Sequence, residues 1–192
     1  VYIDPQIERV LRDGLRREGW PKPARTVASD RGGLTRGGIT AKSWGDHTGL
    51  GRLATAEELD AIAEDEALAF YYAHYVVEPK FEAVLDQRLR ALMIDWSFTS
   101  WSDDPVEALQ HSLARRGLYT GAIDGAIGPK TIAAILSDRD PRQTFRDVFN
   151  ARIAFYLDLS FDKQAREFLH AHPTSQLHNA IGWVNRCLEF TP

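Results

Sequence analysis

Cysteine is nearly absent. Cys187 is the only one in 192 residues, which excludes an intramolecular disulfide and a cluster of thiolate metal ligands. It falls in an apolar pattern of helical spacing, the setting of a buried, inert thiol rather than a nucleophile. No apolar run approaches the roughly 20 residues of a membrane-spanning helix, so no membrane insertion is expected. Positive charge is not in excess either. The formal net charge is −4, which gives no general case for nucleic acid and leaves any attraction to an anionic polymer to a local patch. The opening residues Val1-Tyr2-Ile3-Asp4-Pro5 lack the charged and apolar regions of a secretory signal, so synthesis in the cytoplasm without a visible signal is the expectation. Repeats and low-complexity tracts are missing too. What remains, 44% hydrophobic and 26% charged, is enough to bury a full core as one compact domain or a domain with a subdomain.

Helical spacing dominates that remainder. Asp4 and Pro5 have the form of an N-cap and first helical residue, and Ile7, Val10, Leu11, Leu15 and Glu18 share one stripe. From about Ala24 to Trp44 the helical period vanishes. There Thr26-Val27-Ala28 and Ile39-Thr40-Ala41 predict two short strands of a hairpin, separated by glycines. Thr55 and Glu58 form a capping box, opening a helix that carries Leu59, Ile62, Leu68, Tyr71, Tyr72 and Tyr75 until Pro79 interrupts. Val84 to Phe98 is apolar on more than one face and predicts the most buried helix. Asp104-Pro105 and Asp140-Pro141 start two more helices, Pro129 opens another, and Leu177 to Leu188 predicts a last one. Asp103-Asp104 is the one plausible seam, dividing residues 1–102 from 103–192, with the two sides packed together. The fold class is mainly α: a helical bundle with one small β-hairpin.

Chemistry concentrates between Glu18 and Thr40. A helical pattern runs into Glu18 and stops at Gly19, so this carboxylate meets the negative end of a helix dipole, which disfavours its ionised form. Asp30 and Thr35 follow on a segment containing Gly32, Gly33, Gly37 and Gly38, which permits tight turns and close approach of a ligand. Glutamic acid, aspartate and threonine so arranged suit glycosidic hydrolysis: one group protonates the leaving oxygen, and others handle water or the cationic transition state.

Glu18-Gly19, then Asp30-x-Gly32-Gly33-x-Thr35 and Gly38-Ile39-Thr40, resemble the signature of glycoside hydrolase family 108, lysozyme-like peptidoglycan hydrolases of phages and bacterial secretion or release systems. Trp20 and Pro21 stand where that family has a second glycine and an aromatic. Further on, Leu109-Gln110 with Asp124-Gly125-x-x-Gly128-Pro129-x-Thr131 resembles peptidoglycan-binding modules, and Gly182-Trp183-Val184-Asn185-Arg186 is again a family feature. The resemblance implies an α+β lysozyme-like fold, with the hairpin over the catalytic helix. It implies Glu18 as general acid and Asp30 and Thr35 across the scissile bond, with substrate contacts from Trp20, Gly33, Thr40, Tyr72, Asp95 and Thr99. The family pairs the aspartate matching Asp95 with an asparagine a few positions later, where Thr99 stands here.

Each assignment has a plainer rival. Most helix-terminal glutamates are solvated and inert, and Asp30 can serve as a turn residue bonding its own backbone. Asp95 is either a structural hydrogen-bond partner or part of the cleft. Tyr71, Tyr72, Tyr75, Trp96, Phe98 and Trp101 could form a sugar platform, but for all but one or two of them core packing is the expectation. His170, His172 and His178 lack an acidic co-ligand and an i, i+4 interval, so no metal and no organic cofactor is expected.

The function that follows is a peptidoglycan N-acetylmuramidase of bacterial or phage origin, a monomer acting on wall glycan strands in the periplasm or cell wall after release or secretion. A non-catalytic wall-binding protein and a chitinase- or chitosanase-like glycosidase are the alternatives.

Overall fold

The computed structural model describes residues 3–26 and 33–161, with side chains described as far as Tyr156. Asp30, Val27 and Ala28 of the predicted first strand, and everything expected beyond 161 (the last helix, the three histidines, Gly182 to Arg186 and Cys187) lie outside the described residues. The chain forms two compact units, Val1–Glu78 and Pro79–Pro192. As expected, it is mainly α with a small antiparallel sheet.

In the first unit α1 (Pro5–Arg17) is capped by Asp4, whose carboxylate accepts from the Gln6 and Ile7 N–H groups. Its stripe of Ile7, Leu11 and Leu15 is buried and packs against α4 (Glu64–Tyr72). Between them lie β1 (Arg25–Thr26), β2 (Leu34–Arg36), β3 (Ile39–Thr40) and α2 (Ala41–Thr48). The sheet order is β1-β2-β3, so the two predicted strands flank a third and do not pair with each other. β2 is too short, and too close to its glycines, to show an alternating pattern. Ala41 is not a strand residue: Thr40 caps α2 through a reciprocal box with Ser43.

The helix predicted from Thr55 onward is broken. The Thr55–Glu58 capping box is present, but α3 (Ala56–Asp60) stops and α4 starts afresh at Glu64. The break is held from two sides: the Glu66 carboxylate accepts from the Ala63 N–H at 2.8 Å, and another element takes up the freed carbonyls. Arg36 Nη1 donates to the carbonyls of Leu59 and Ile62 at 2.9 and 2.8 Å, taking up acceptors that a continuing helix would use. A π-helical turn, Ala73–Val77, then extends α4.

The regular elements in the described part of the second unit are all helical. α5 (Gln87–Ser97) begins where Asp86 caps the Leu89 N–H, and Ala91 to Ser97 are all buried, as their apolar character required. α6 (Asp103–Arg115) ends before Gly117, whose φ is +72°. α7 (Pro129–Ser137) and α8 (Pro141–Phe161) both open on proline. α5, α6 and α8 pack on one another. Across that packing, Asp95 Oδ2 of α5 accepts from Arg152 Nη2 of α8 at 2.6 Å, both side chains being fully buried. Tyr156 is one turn further along α8; its hydroxyl accepts from Arg152 Nε at 3.4 Å and also meets the Thr99 hydroxyl.

Candidate active site

Glu18 is the C-cap of α1, its N–H donating to Gly14 O at 3.0 Å. Gly19, with φ +99°, turns the chain, and the Trp20 N–H returns to Leu15 O at 3.1 Å. The carboxylate is thereby held at the end of a buried helix rather than on a free loop.

The β2–β3 turn closes over it. Gly37 and Gly38 have φ of +52° and +76°, the positive pair that a two-residue hairpin of this hand demands. A Cβ on Gly37 would come within 2.9 Å of the Trp20 ring. A Cβ on Gly38 would come within 2.6 Å of the Tyr71 hydroxyl and 3.1 Å of Glu18 Cγ. The Tyr71 hydroxyl donates to Gly37 O at 2.7 Å, tying the turn to α4. Gly38→Ala is therefore expected to cost about 1–3 kcal/mol, from strain at positive φ and displacement of Tyr71. Because the intruding methyl also meets Glu18, turnover should fall more than the folded fraction does. Equal loss of both, by parallel calorimetry and wall-lysis assays, would show that the turn does not set the position of Glu18.

Sheet register decides which residues face Glu18. Arg25 pairs with Thr35, and Thr35 with Thr40, so the three stand in one row across the sheet. All three line a cleft of about 210 Å³ with Glu18, Gly19, Lys22 and Gly38. The alternate row turns inward: Ile39 is fully buried, and the Arg36 guanidinium lies 3.9 Å from the Trp20 ring centroid. Thr35 Oγ1 donates to Ile39 O at 3.2 Å. Ala24 N–H, donating to Asp60 at 2.7 Å, pins the segment leading into Arg25.

The cleft thus gathers Glu18, Thr35 and Thr40 from the predicted set. Trp20 is buried beneath the turn as its packing support. Gly33, at φ +70°, leads into β2, and neither it nor Tyr72 lines this cleft. Asp95 and Thr99 belong to the second unit, where their described partners are Arg152 and Tyr156. Of the aromatic cluster, Tyr71 and Trp96 are buried, whereas Trp101 is 82% exposed.

Two charged residues of the cleft were not singled out from sequence. Lys22 and Arg25 bring positive charge to the cleft of Glu18. Tyr75 stands beside Tyr71, with ring centroids 5.0 Å apart. Its hydroxyl is pushed above the usual tyrosine range by burial and, secondarily, by the charge of Glu18, which places it within electrostatic reach of that carboxylate. Both tyrosines already belonged to the helical pattern and the aromatic cluster read from the sequence. Among the described residues no group of three or more His, Cys, Asp or Glu is arranged to hold a metal, and no helix is long and apolar enough to cross a membrane.

Residues 12–100 match the model of the glycosyl hydrolase 108 family, and residues 104–188 match that of a predicted peptidoglycan domain. No curated protein matches the sequence. Among solved structures the fold is similar to that described as the structure of Brucella abortus SagA, with a TM-score of 0.63 at 20% identity, over 96% of this chain and 94% of that one. Glu18, its glycine turn and its sheet all fall inside the stretch that matches the glycosyl hydrolase 108 model, and the match to the predicted peptidoglycan domain follows it in the C-terminal half.

Proposed function

We propose that the chain is a peptidoglycan N-acetylmuramidase, cutting the β-1,4 bond between N-acetylmuramic acid and N-acetylglucosamine with Glu18 as general acid. The observation that carries this is the cleft in which Glu18, fixed at the end of α1, is accompanied by the sheet row Arg25, Thr35 and Thr40. Glu18 protonates the glycosidic oxygen as the bond to the anomeric carbon breaks, since an aminosugar alkoxide is a poor leaving group. Thr35 offers a hydroxyl on the sheet side of the cleft to position water. Asp30 is assigned the remaining carboxylate role on the sequence pattern alone. Residues 1–102 then form the catalytic part and 103–192 the wall-binding part, acting as a monomer in the periplasm or cell wall of a bacterium, in a bacterial or phage setting. Fragment mass analysis of digested peptidoglycan tests the bond cut: muramic acid at the new reducing ends is expected, and glucosamine there would overturn the assignment.

Lys22 and Arg25 bear on the alternatives. Chitosan is a polycation and chitin is neutral, whereas muramic acid carries a lactyl group that continues into an anionic peptide. Two cations in the cleft disfavour the first, are indifferent to the second and attract the third. Arg25→Ala is expected to raise KM on peptidoglycan by roughly two- to fivefold, the scale of an exposed charge contact, while leaving any slow cleavage of chitin oligosaccharides unaltered. Equal losses on both polymers would assign Arg25 to the sheet rather than to substrate choice. A zymogram on purified walls separates the enzyme from a wall-binding protein without turnover.

A further inference from the structure

A line of aromatic rings leads out of the Glu18 cleft along α2. Thr40 lines the cleft and caps that helix, and Trp44 and His47 follow it at i+4 and i+7. The spacing sets all three on one helix face, with Trp44 about 6 Å and His47 about 10 Å beyond Thr40 along the axis. The two rings are stacked, 26° from parallel with centroids 5.7 Å apart. α4 and its π-helical turn back them: the buried Phe70 ring lies 5.9 Å from Trp44 and 5.1 Å from His47, and His74 lies 5.3 Å from His47. His74 is held in turn by Phe70 at 4.3 Å and by Glu78, whose carboxylate lies 3.1 Å from Nδ1. The neighbouring residue of the same stretch serves the acid. Tyr71 ties the turn over Glu18 to α4, and its ring centroid is 6.3 Å from that of Phe70. The rings of α2 thus begin one side chain away from the support of Glu18.

Core packing accounts for Phe70 but not for the outer pair. Trp44 is half-buried and His47 exposed, so part of the ordered stack meets solvent. Rings fixed in advance lose little freedom when a ligand covers them. Burial and the neighbouring His74 hold His47 below the usual histidine range, which keeps its imidazole neutral near pH 7. The cleft itself carries Lys22 and Arg25, whereas the Trp44–His47 stack offers uncharged π surface. Such a surface, negative over its face, attracts the C–H bonds on the apolar side of a pyranose ring. We propose that the Trp44–His47 face is a glycan subsite continuing the Glu18 cleft, where a neutral aminosugar of the bound strand stacks on the two rings. The inference rests on the reading of that cleft as the place where the strand lies, but not on Glu18 as the acid.

The test uses the full chain carrying Glu18→Gln, so that glycan is not consumed, and a peptide-free wall hexasaccharide whose binding is followed by calorimetry and NMR. Sugar C–H protons should show through-space contacts to the Trp44 and His47 rings. Trp44→Leu keeps an apolar cover on Phe70 but has no planar face. It should weaken binding roughly three- to tenfold, the scale of one aromatic stacking contact. His47→Ala removes an exposed ring, so it should weaken binding in the same direction with a melting temperature within about 2 °C of the parent's. Trp44→Phe retains a smaller face and should recover part of the loss. Contacts to Thr35 and Thr40 without any to Trp44 or His47 overturn the subsite and leave the cleft reading intact. Unchanged affinity in Trp44→Leu and His47→Ala does the same. No binding of the hexasaccharide overturns the cleft reading and the subsite with it. Should Glu18→Gln still cut glycan while the ring contacts appear, the catalytic assignment fails and the subsite stands.

Discussion

Glu18→Gln is expected to lower wall hydrolysis by about a hundred- to ten-thousand-fold, the contribution of a positioned general acid. Glutamine keeps the length and most of the hydrogen bonds, and Glu18 is the cap residue rather than part of the α1 core, so the fold should survive. Sedimentation with intact sacculi should be close to the parent's, because binding draws on the cleft walls and on the second unit. Thr35→Val gives a graded companion: if Thr35 holds a water, turnover falls with little change in KM. If it serves only its bond to Ile39 O, stability falls instead. Lysis by Glu18→Gln within a few-fold of the parent, the scale of substitutions that touch no site, would remove Glu18 from the chemistry altogether.

Asp95→Ala is expected to destabilise the second unit by about 3–5 kcal/mol, the cost of leaving a buried cation without its counter-ion. In a chain of this length that lowers the melting temperature by roughly 6–20 °C. The reason is geometric. Arg152 is fully buried, a guanidinium keeps its charge wherever it sits, and its 2.6 Å bond to Asp95 sets a counter-charge beside it. Asp95→Leu with Arg152→Met removes both charges together. It should recover most of the loss, since well-packed apolar replacements of a buried pair are often neutral or better. Were Asp95 a substrate contact instead, as the family pattern implies, thermal stability would barely move in Asp95→Ala while KM rose. The two measurements therefore decide between the roles that the sequence left open.

Which parts of this protein were legible in the sequence follows from the range of the interactions concerned. Caps and turns act over three or four residues, so Asp4, Thr55 with Glu58, Pro129, Pro141 and the glycine pair at 37 and 38 could be located from their own neighbourhoods. Helical stripes are equally local, and they correctly placed Glu18 at the end of a buried helix. By themselves those letters determined a mainly α protein with a carboxylate poised beside a glycine-rich turn. Tertiary structure decided what faces that carboxylate. The third strand moves Arg25, Thr35 and Thr40 into one row, and a single-residue slip in register would have turned Arg36 and Ile39 toward Glu18 instead. The carbonyls freed between α3 and α4 are taken up by Arg36, more than twenty positions away. Asp95 meets Arg152 across 57 positions only because α5 and α8 pack together. Periodicity reports which face of an element is apolar, but not which distant element will cover it. Pairings of that kind are chosen by packing the whole chain at once.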